Sequence, residues 1–194
     1  MILRIKKSIT YRISRLFYFI TKPRMFGKKR NFQGKFIQDT AIGNTTFIDF
    51  PENLIIGDHT YIGHHNFIEA SNGIEIGEGC QVTDFVSITS HSSHISIRLY
   101  GSQYAKHPNH IGYLKGKISI GKYTFIGPHS VIMPGTEIGK GAIVSAFSYV
   151  KGKFPDYSII SGNPAKIIGD TREMDKVYLE NNSELQCYYQ NWNN

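Results

Sequence analysis

The sequence is poor in cysteine and lacks a long apolar run. Its two cysteines among 194 residues, Cys80 and Cys187, lie far apart and do not have the spacing of a zinc site. This excludes a small disulfide-stabilised secreted fold and favours a cytoplasmic protein. No stretch is long and apolar enough to span a bilayer, and no signal peptide with a small-residue cleavage site is apparent. The length suits one domain with short appendages.

Acidic residues are absent from the first 35 positions, which hold eleven of the 22 lysines and arginines. The net charge of +7 therefore divides into a basic segment and a body with eleven bases and fifteen acids. Because the body is mildly acidic, we expect no nucleic-acid partner. Within the basic segment, apolar residues recur at steps of three and four, at Ile2, Ile5, Ile9, Ile13, Leu16 and Ile20. This predicts an amphipathic helix that packs against the body or, alternatively, makes peripheral contact with the inner-membrane surface.

A period of six dominates the middle of the chain. Ten of the thirteen intervals between its inward aliphatic residues are six residues long, and these residues are Ile42, Ile48, Ile56, Ile62, Ile68, Ile76, Val82, Ile88, Ile120, Ile126, Ile132, Ile138, Val144 and Val150. Glycine directly follows seven of them, and small residues prevail two places before them. Because six is neither a helical period nor strand alternation, we expect a narrow prism with aliphatic residues inside and glycine where a corner needs backbone freedom.

These repeats resemble those of the hexapeptide acyltransferases, whose left-handed parallel β-helix has coils of three short strands. The resemblance covers about residues 40–168 and implies an all-β fold, a homotrimer and acetyl-CoA as acyl donor. We predict a β-helix domain over residues 36–168 with an inserted loop over 89–117. A basic amphipathic helix and linker would occupy residues 1–35, and a short C-terminal helix and tail residues 169–194.

Three irregular intervals interrupt the repeat. Counting faces from Ile42 as face one, the extra residues near 50–52 and 71–73 and the excursion after Ile88 all fall between faces two and three. Val150, the last repeat position in this count, lies on face two as well. Because a regular prism has no concavity, we expect the insertions at this edge to build the acceptor site.

The long insertion also carries candidate bases. Transfer of an acetyl group to an alcohol or amine needs a base that works near neutral pH, and imidazole is suited to this. In the galactoside and maltose acetyltransferase branch a histidine lies at the start of such a loop, so the resemblance implies His91 as general base. His94 is the second candidate, although it could instead fill a structural position at the next corner. We expect His64, His65 and His129 to be structural or to line the rim.

The segment Gly162-Asn163-Pro164-Ala165-Lys166 resembles the closing motif of this family, whose basic residue meets the phosphates of CoA. Matched in the same way, the resemblance implies that acetyl-CoA is held by Phe125, Gly127, Ser145, Ala146, Lys151 and Lys166. We expect direct transfer in a ternary complex, with a backbone N–H stabilising the oxyanion and no metal. Cys80 occupies a small-residue position, where it would be buried and inert.

The expected acceptor is a sugar in bacterial surface polysaccharide (O-antigen or capsule) biosynthesis. Tyr100, Tyr104 and Tyr113 could stack on a sugar ring, and Arg98 could meet the diphosphate of a nucleotide-linked sugar. Asn66 is the nearest match to an asparagine that the galactoside branch uses beside its base. The residues do not distinguish transfer to a hydroxyl from transfer to an amine.

Other functions use similar scaffolds. An N-acetyltransferase of a dTDP- or UDP-linked amino sugar is the first alternative. A protein like the γ-type carbonic anhydrases would need three histidines that converge on a metal. A non-catalytic solenoid would need a regular, flat outer face, which the irregular edge does not offer.

Overall fold

The structure is a computed structural model that describes residues 2–193, with side chains described from Thr10 to Asn193. Ile2, Ile5 and Ile9 lie in a helix, but their side chains are outside the described ones. The helices are α1 (Ile2–Thr21), α2 (Ser96–Tyr100), α3 (Thr171–Asn181) and α4 (Leu185–Asn193), with 3-10 turns at Pro51–Asn53 and Gly101–Lys106. The strands are β1 (Met25–Arg30), β2 (Phe36–Gly43), β3 (Phe47–Asp49), β4 (Leu54–Ile56), β5 (Tyr61–Ile62), β6 (Phe67–Glu69), β7 (Ile74–Ile76), β8 (Gln81–Val82), β9 (Ser87–Thr89), β10 (His91–Ser92), β11 (Leu114–Lys115), β12 (Ile118–Ile120), β13 (Phe125–Ile126), β14 (Val131–Ile132), β15 (Glu137–Ile138), β16 (Ile143–Val144), β17 (Tyr149–Val150), β18 (Lys153–Phe154), β19 (Ser158–Gly162) and β20 (Ala165–Asp170).

Three parallel sheets form the faces of a prism, as the repeat predicts. Face one contains β2, β5, β8, β13, β16 and β19, face two contains β3, β6, β9, β14 and β17, and face three contains β4, β7, β12, β15 and β18. Each inward aliphatic pairs with its equivalent one coil away, as Ile42 does with Ile62 on face one and Ile48 with Ile68 on face two. The face predicted for every repeat position is therefore confirmed.

The inward aliphatics form one continuous core. Ile62, Ile68, Val82, Ile88 and Ile126 have no exposed surface, and the rest of the core cluster follows the same period. Full burial of such a side chain contributes roughly 1.5–3 kcal/mol, so the column of inward residues is the main stabilising feature of the prism.

Small residues two places before the inward aliphatics also connect the coils. The hydroxyl of Thr60 donates to the carbonyl of Gly77 over 2.9 Å, and that of Thr124 donates to the carbonyl of Gly139 over 3.0 Å. These hydroxyls are buried, so an apolar replacement would leave the carbonyl of the next coil with one bond fewer. Hydrogen bonding as well as small size therefore explains these positions.

The glycines that follow the inward aliphatics serve close stacking of coils, which differs from the prediction. None of these seven glycines has a positive φ; the left-handed residues at the corners lie two places later and include His59, His65 and His129. At Gly77 an added Cβ would lie 2.7 Å from the backbone nitrogen of Lys122 in the next coil. The glycine is required because the neighbouring backbone leaves no room for a side chain.

Replacing Gly121 by alanine tests this explanation. The new Cβ would lie 2.4 Å from the backbone nitrogen of Lys140, and a backbone cannot move aside as a flexible side chain can. We expect the free energy of unfolding to fall by about 1–3 kcal/mol, measured by chemical denaturation. Gly27→Ala is the matched control, because a Cβ there meets nothing within 4 Å. Equal stability of the two variants would contradict the stacking explanation.

The β-helix continues beyond the last predicted repeat position. Phe154 pairs with Ile138 on face three, and Ile160 pairs with Val144 on face one. The sequence count places the chain's departure from the prism after Val150, but the chain completes that coil on face three and begins the next on face one. The shortened step of four residues from Val150 to Phe154 hides this turn in the sequence.

The C-terminal segment forms two helices instead of the predicted one. Helices α3 and α4 are separated at residues 182–184, and Asn193 at the end of α4 accepts a hydrogen bond from Tyr157. Trp192 packs against Tyr123 and Tyr157, which lie at the corner between faces three and one. This corner, the C-terminal edge, is covered by α4.

The N-terminal helix is not packed against the body of the protein. Every described side chain from Thr10 to Thr21 is exposed, so packing on its own β-helix, the default expectation, is wrong within the single chain. The predicted linker after the helix contains β1, which pairs antiparallel with β2 and extends face one at the start of the prism. In the described residues no helix has the length and apolar character needed to cross a bilayer.

Candidate active site

The three extra segments share one edge of the prism. Residues 50–53, 70–73 and 90–117 all connect a strand of face two to a strand of face three, as predicted, and we call this corner the insertion edge. Residues 133–136 and 151–152 connect the same two faces one and two coils later. The two ends of the largest segment pair as antiparallel strands, with His91 opposite Lys115.

His91 is held by a buried carboxylate. Its Nδ1 lies 2.7 Å from Oε2 of Glu69, whose side chain is 3% exposed, whereas the His91 ring is 34% exposed. The Ser71 hydroxyl lies 3.3 Å from the same Nδ1. Because a carboxylate only accepts hydrogen bonds, this contact places the ring proton on Nδ1 and leaves Nε2 as a free acceptor. Such an arrangement orients an imidazole for proton abstraction.

Glu69 is ionised at neutral pH despite its burial. Burial would raise the pKa of this carboxyl, but hydrogen bonds from Ser71 and Ser90 and the neighbouring His91 together lower the pKa below its usual value. The backbone N–H of Ser71 donates to Oε1 over 2.9 Å, and the hydroxyl of Ser90 donates to Oε2 over 3.0 Å. The buried charge is thus fully hydrogen-bonded and fixed in position.

A pocket of about 540 Å³ lies beside His91. The His91 ring stacks on Tyr113, with centroids 5.4 Å apart and planes inclined by 10°. The pocket is lined by Ser71, Asn72, Tyr104, Pro108, Asn109, His110, Tyr113 and Lys115. Tyr104 stacks on His110 with a centroid separation of 3.9 Å. Two of the three tyrosines predicted to contact the acceptor, Tyr104 and Tyr113, therefore line this pocket.

Tyr100 and Arg98 take supporting positions instead. The Tyr100 hydroxyl accepts a hydrogen bond from the backbone of Ile111, and its ring contacts His107 and His110 from outside the pocket. The Arg98 guanidinium donates to the carbonyl of His94 one helical turn earlier. Neither residue lines the pocket, because both fold back to stabilise the insertion itself.

Asn66 lies in the prism and does not line this pocket. It is 2% exposed, at the corner between faces one and two, and its Oδ1 accepts from the backbone of Val86 over 2.7 Å. This corner is separated from the insertion edge by the whole of face two. The expected contact with the acceptor is therefore not formed within this chain.

Among the described residues no other histidine is paired with a buried carboxylate; His59 lies 3.5 Å from Asp39, whose side chain is 85% exposed. His94 is exposed, and its Nδ1 contacts only the Ser92 hydroxyl, at 2.7 Å. His65 and His129 alternate with Phe85 in a stack at the corner between faces one and two. In residues 2–193 no group of three or more His, Cys, Asp or Glu side chains is arranged to hold a metal ion.

The residues expected to bind acetyl-CoA lie away from His91 in the single chain. Phe125 is on face one, and Gly127, Ser145 and Ala146 follow at its corner with face two. Lys151 is at the insertion edge, and Lys166 is on β20 beyond the end of face one. Among them Phe125, Ala146, Lys151 and Lys166 are exposed.

Cys80 offers no nucleophile for a covalent route. Burial raises the pKa of its thiol to about 11, and the thiol donates to the carbonyl of Gly121 over 3.1 Å. The thiol therefore stays protonated inside the prism, as its position in the repeat predicts. Cys187 is exposed on α4, at the C-terminal edge.

Glu69 and Lys115 were not identified from the sequence, although one signal points to Glu69. Glycine follows the inward aliphatic at seven positions, all on faces one and three. On face two this position holds Asp49, Glu69, Thr89, Met133 and Lys151. Side chains at the start of the insertion edge thus replace the glycine used elsewhere, and one of them reaches His91.

Known repeats and relatives match the same region. The hexapeptide repeat of bacterial transferases (six repeats) matches residues 117–152, and the hexapeptide repeat of succinyl-transferase matches residues 53–89.

YvoF of Bacillus subtilis, provisionally named an acetyltransferase, is 42% identical over 64 residues, 33% of this chain and 37% of YvoF. WbbJ of Escherichia coli, provisionally named a lipopolysaccharide biosynthesis O-acetyl transferase, is 38% identical over 61 residues, 31% of each chain. The galactoside O-acetyltransferase of E. coli is 31% identical over 93 residues, 48% of this chain and 41% of the relative. The matches thus span less than half of each relative.

Solved structures share the fold over more of the chain. The hexapeptide-repeat acetyltransferase VCA0836 of Vibrio cholerae superposes with a TM-score of 0.60 at 22% identity, covering 69% of this chain and 71% of VCA0836. AntD of Bacillus cereus, an N-acyltransferase in complex with dTDP and 3-hydroxybutyryl-CoA, superposes with a TM-score of 0.59 at 21% identity, covering 74% and 87%. At these identities the likeness concerns the fold. The chain thus contains hexapeptide repeats folded as a left-handed β-helix, and it is similar in sequence and fold to these acetyltransferases and acyltransferases.

Proposed function

We propose that this protein transfers an acetyl group from acetyl-CoA to a saccharide, with His91 as general base. The observation that carries the proposal is the Glu69–His91 pair beside an aromatic pocket on the insertion edge. The matched relatives support the reaction class, since they are named for acetyl transfer to a galactoside and in lipopolysaccharide biosynthesis. We therefore assign the protein to surface-polysaccharide biosynthesis.

The proposed chemistry needs one proton acceptor. Nε2 of His91 takes the proton of the acceptor hydroxyl while the oxygen attacks the thioester carbonyl, and a backbone N–H stabilises the oxyanion. The C–S bond then breaks, and the proton on Nε2 passes to the departing thiolate of CoA. Glu69 keeps the imidazole oriented and stabilises its transient positive charge.

A second copy of the chain is proposed to complete the site. The residues expected to hold acetyl-CoA at face one and its corner with face two are separated from His91 in one chain, so a neighbour must bring the two sets together. That corner carries an exposed aromatic stack, His65, Phe85, His129 and Phe147, with centroids 4.8–5.0 Å apart. We expect a homotrimer in which this aromatic edge of one subunit meets the insertion edge of the next.

The pocket favours an acidic sugar. Aromatic walls suit the apolar faces of a sugar ring, and Asn72 and Asn109 can bond its hydroxyls. Lys115 is the one Lys, Arg, Asp or Glu among the lining residues, and its ammonium lies 5.4 Å from the centre of the Tyr113 ring. In the part of the chain that the structure describes no ion pair is formed by Lys115. Its charge is thus available to a carboxylate or phosphate on the acceptor.

Transfer to the amine of a nucleotide-linked sugar is the second candidate. AntD, with which this chain shares its fold, is an N-acyltransferase in complex with dTDP. However, Arg98, the residue expected to meet a diphosphate, is bonded to His94 outside the pocket. The saccharide hydroxyl is therefore the preferred acceptor.

Release of free CoA tests the proposal. Purified protein with acetyl-CoA is supplied with neutral glycosides, acidic glycosides, polysaccharide fragments and nucleotide-linked amino sugars. We expect turnover with a saccharide hydroxyl, with an acidic glycoside preferred over its neutral counterpart because of Lys115. Turnover only with amino sugars would replace O-transfer by N-transfer. The proposal fails if acetyl-CoA does not bind and no acceptor supports CoA release.

A further inference from the structure

The N-terminal segment is the largest feature that acetyl transfer does not use. Seven large apolar side chains of α1 are between 58% and 70% exposed, and they are Tyr11, Ile13, Leu16, Phe17, Tyr18, Phe19 and Ile20. Four of them share one face of the helix, because Leu16, Phe17 and Ile20 follow Ile13 by three, four and seven residues. An apolar face of this kind in water requires a partner.

The same segment carries an uncompensated positive charge. Residues 10–35 include eight bases, Arg12, Arg15, Lys22, Arg24, Lys28, Lys29, Arg30 and Lys35, and no acid. None of them forms an ion pair in the described part of the chain. The guanidinium of Arg30 donates instead to the carbonyl of Gly34, and Lys28 lies 5.4 Å from the ring centre of Phe32.

Helix and basic strand are fixed to one end of the prism. The backbone N–H of Arg24 donates to Oδ1 of Asn44 over 2.8 Å, and the N–H of Asn44 donates to the carbonyl of Arg24 over 2.9 Å. Strand β1 then runs along the outer edge of face one with Phe26, Lys28, Lys29 and Arg30 exposed. The helix and the basic strand are therefore adjacent at the first coil, and together they form the N-terminal surface of the protein.

We propose that this surface binds an anionic lipid bilayer. The apolar face would enter the boundary between headgroups and acyl chains, where tyrosine side chains are also favoured, while the arginines and lysines meet lipid phosphates. The same segment of a second copy fits less well, because residues 10–35 of that copy would bring eight more bases and no acid to neutralise them. The helix is too polar to span the membrane, so the contact is peripheral.

Flotation of the full-length protein with lipid vesicles tests the proposal. We expect binding to phosphatidylcholine vesicles that contain phosphatidylglycerol, little binding to phosphatidylcholine alone, and weaker binding at high salt because salt screens the attraction. Replacing Lys28, Lys29 and Arg30 together by glutamine removes about 1 kcal/mol of attraction per base, which corresponds to a loss of roughly 100-fold in partitioning. The double variant Leu16→Ser/Phe17→Ser should lose binding through the apolar face.

A matched charge variant separates location from net charge. Lys117, Lys122 and Lys153 each pair with a glutamate on the body, so their joint replacement by glutamine removes the same charge elsewhere and should leave vesicle binding unchanged. The two triple charge variants should unfold at temperatures close to that of the parent protein, since none of the replaced residues is part of the core. Equal binding to charged and neutral vesicles would overturn the proposal. The proposal would also be overturned if the Leu16→Ser/Phe17→Ser variant changed its oligomeric mass and kept its lipid binding. That result would show that a second copy covers the helix.

Discussion

His91→Ala is expected to lower kcat/KM for acetyl transfer by roughly 10²- to 10⁴-fold, the range that a positioned general base contributes. The structure gives this histidine a buried carboxylate on Nδ1 and a stacked tyrosine, Tyr113, that lines the pocket. Because the ring contributes to the proton transfer and little to binding, the loss should appear in kcat, with the KM for acetyl-CoA nearly unchanged. Free CoA release under saturating acetyl-CoA measures it.

His94→Ala is the matched control for this prediction. The two histidines are three residues apart on the same insertion, but His94 is exposed and the hydrogen-bond partner of its ring is a serine hydroxyl. Its replacement should leave kcat within a few-fold of the parent. Full activity of His91→Ala together with inactivity of His94→Ala would transfer the role of base to His94 and refute the assignment made from the carboxylate contact.

Glu69→Gln is expected to cost about 10²-fold in kcat while the fold persists. Glutamine keeps the shape of the side chain, and its carbonyl oxygen in the place of Oε1 can still accept from the backbone N–H of Ser71. Its amide group, however, would donate toward Nδ1 of His91 and favour the tautomer in which Nε2 carries the proton. An imidazole in that tautomer cannot accept the proton of the acceptor, so turnover falls even though His91 is present.

The control for Glu69→Gln is Glu75→Gln. Glu75 lies on face three of the same coil as Glu69. It pairs with Lys117 over 2.6 Å at the surface, where an ion pair contributes at most about 1 kcal/mol. We expect parental kcat from this variant. A Glu69→Gln protein with parental kcat would show that the carboxylate serves only the stability of the coil.

Acid should weaken the contribution of Glu69 to stability. Its pKa in the folded protein is lowered from the ordinary glutamate value, so the stabilisation is complete above that ordinary value and is lost as the pH falls through the folded-state pKa. At neutral pH the Glu69 carboxylate is ionised in both the folded and the unfolded protein, and its interaction with His91 is available for catalysis.

The repeat by itself determined the fold and the face of each inward residue. The inward position is a local property, since an aliphatic every six residues can be buried only if the chain turns at the same interval. The three extra segments therefore had to leave from the same corner, whatever their own structure. For the same reason the sequence located the insertion edge and placed His91 at the start of its largest segment.

The tertiary structure decided which groups meet at that edge. Glu69 and His91 are 22 residues apart and come together because Glu69 and Thr89 are paired on adjacent coils of face two. The spacing does not determine the direction of a side chain at the end of a strand. Asn66 and Arg98 were therefore also predicted to contact the acceptor, but both make other hydrogen bonds. The role of the glycines was likewise set by stacking, because the clash that requires them comes from the coil above and not from their own backbone angles.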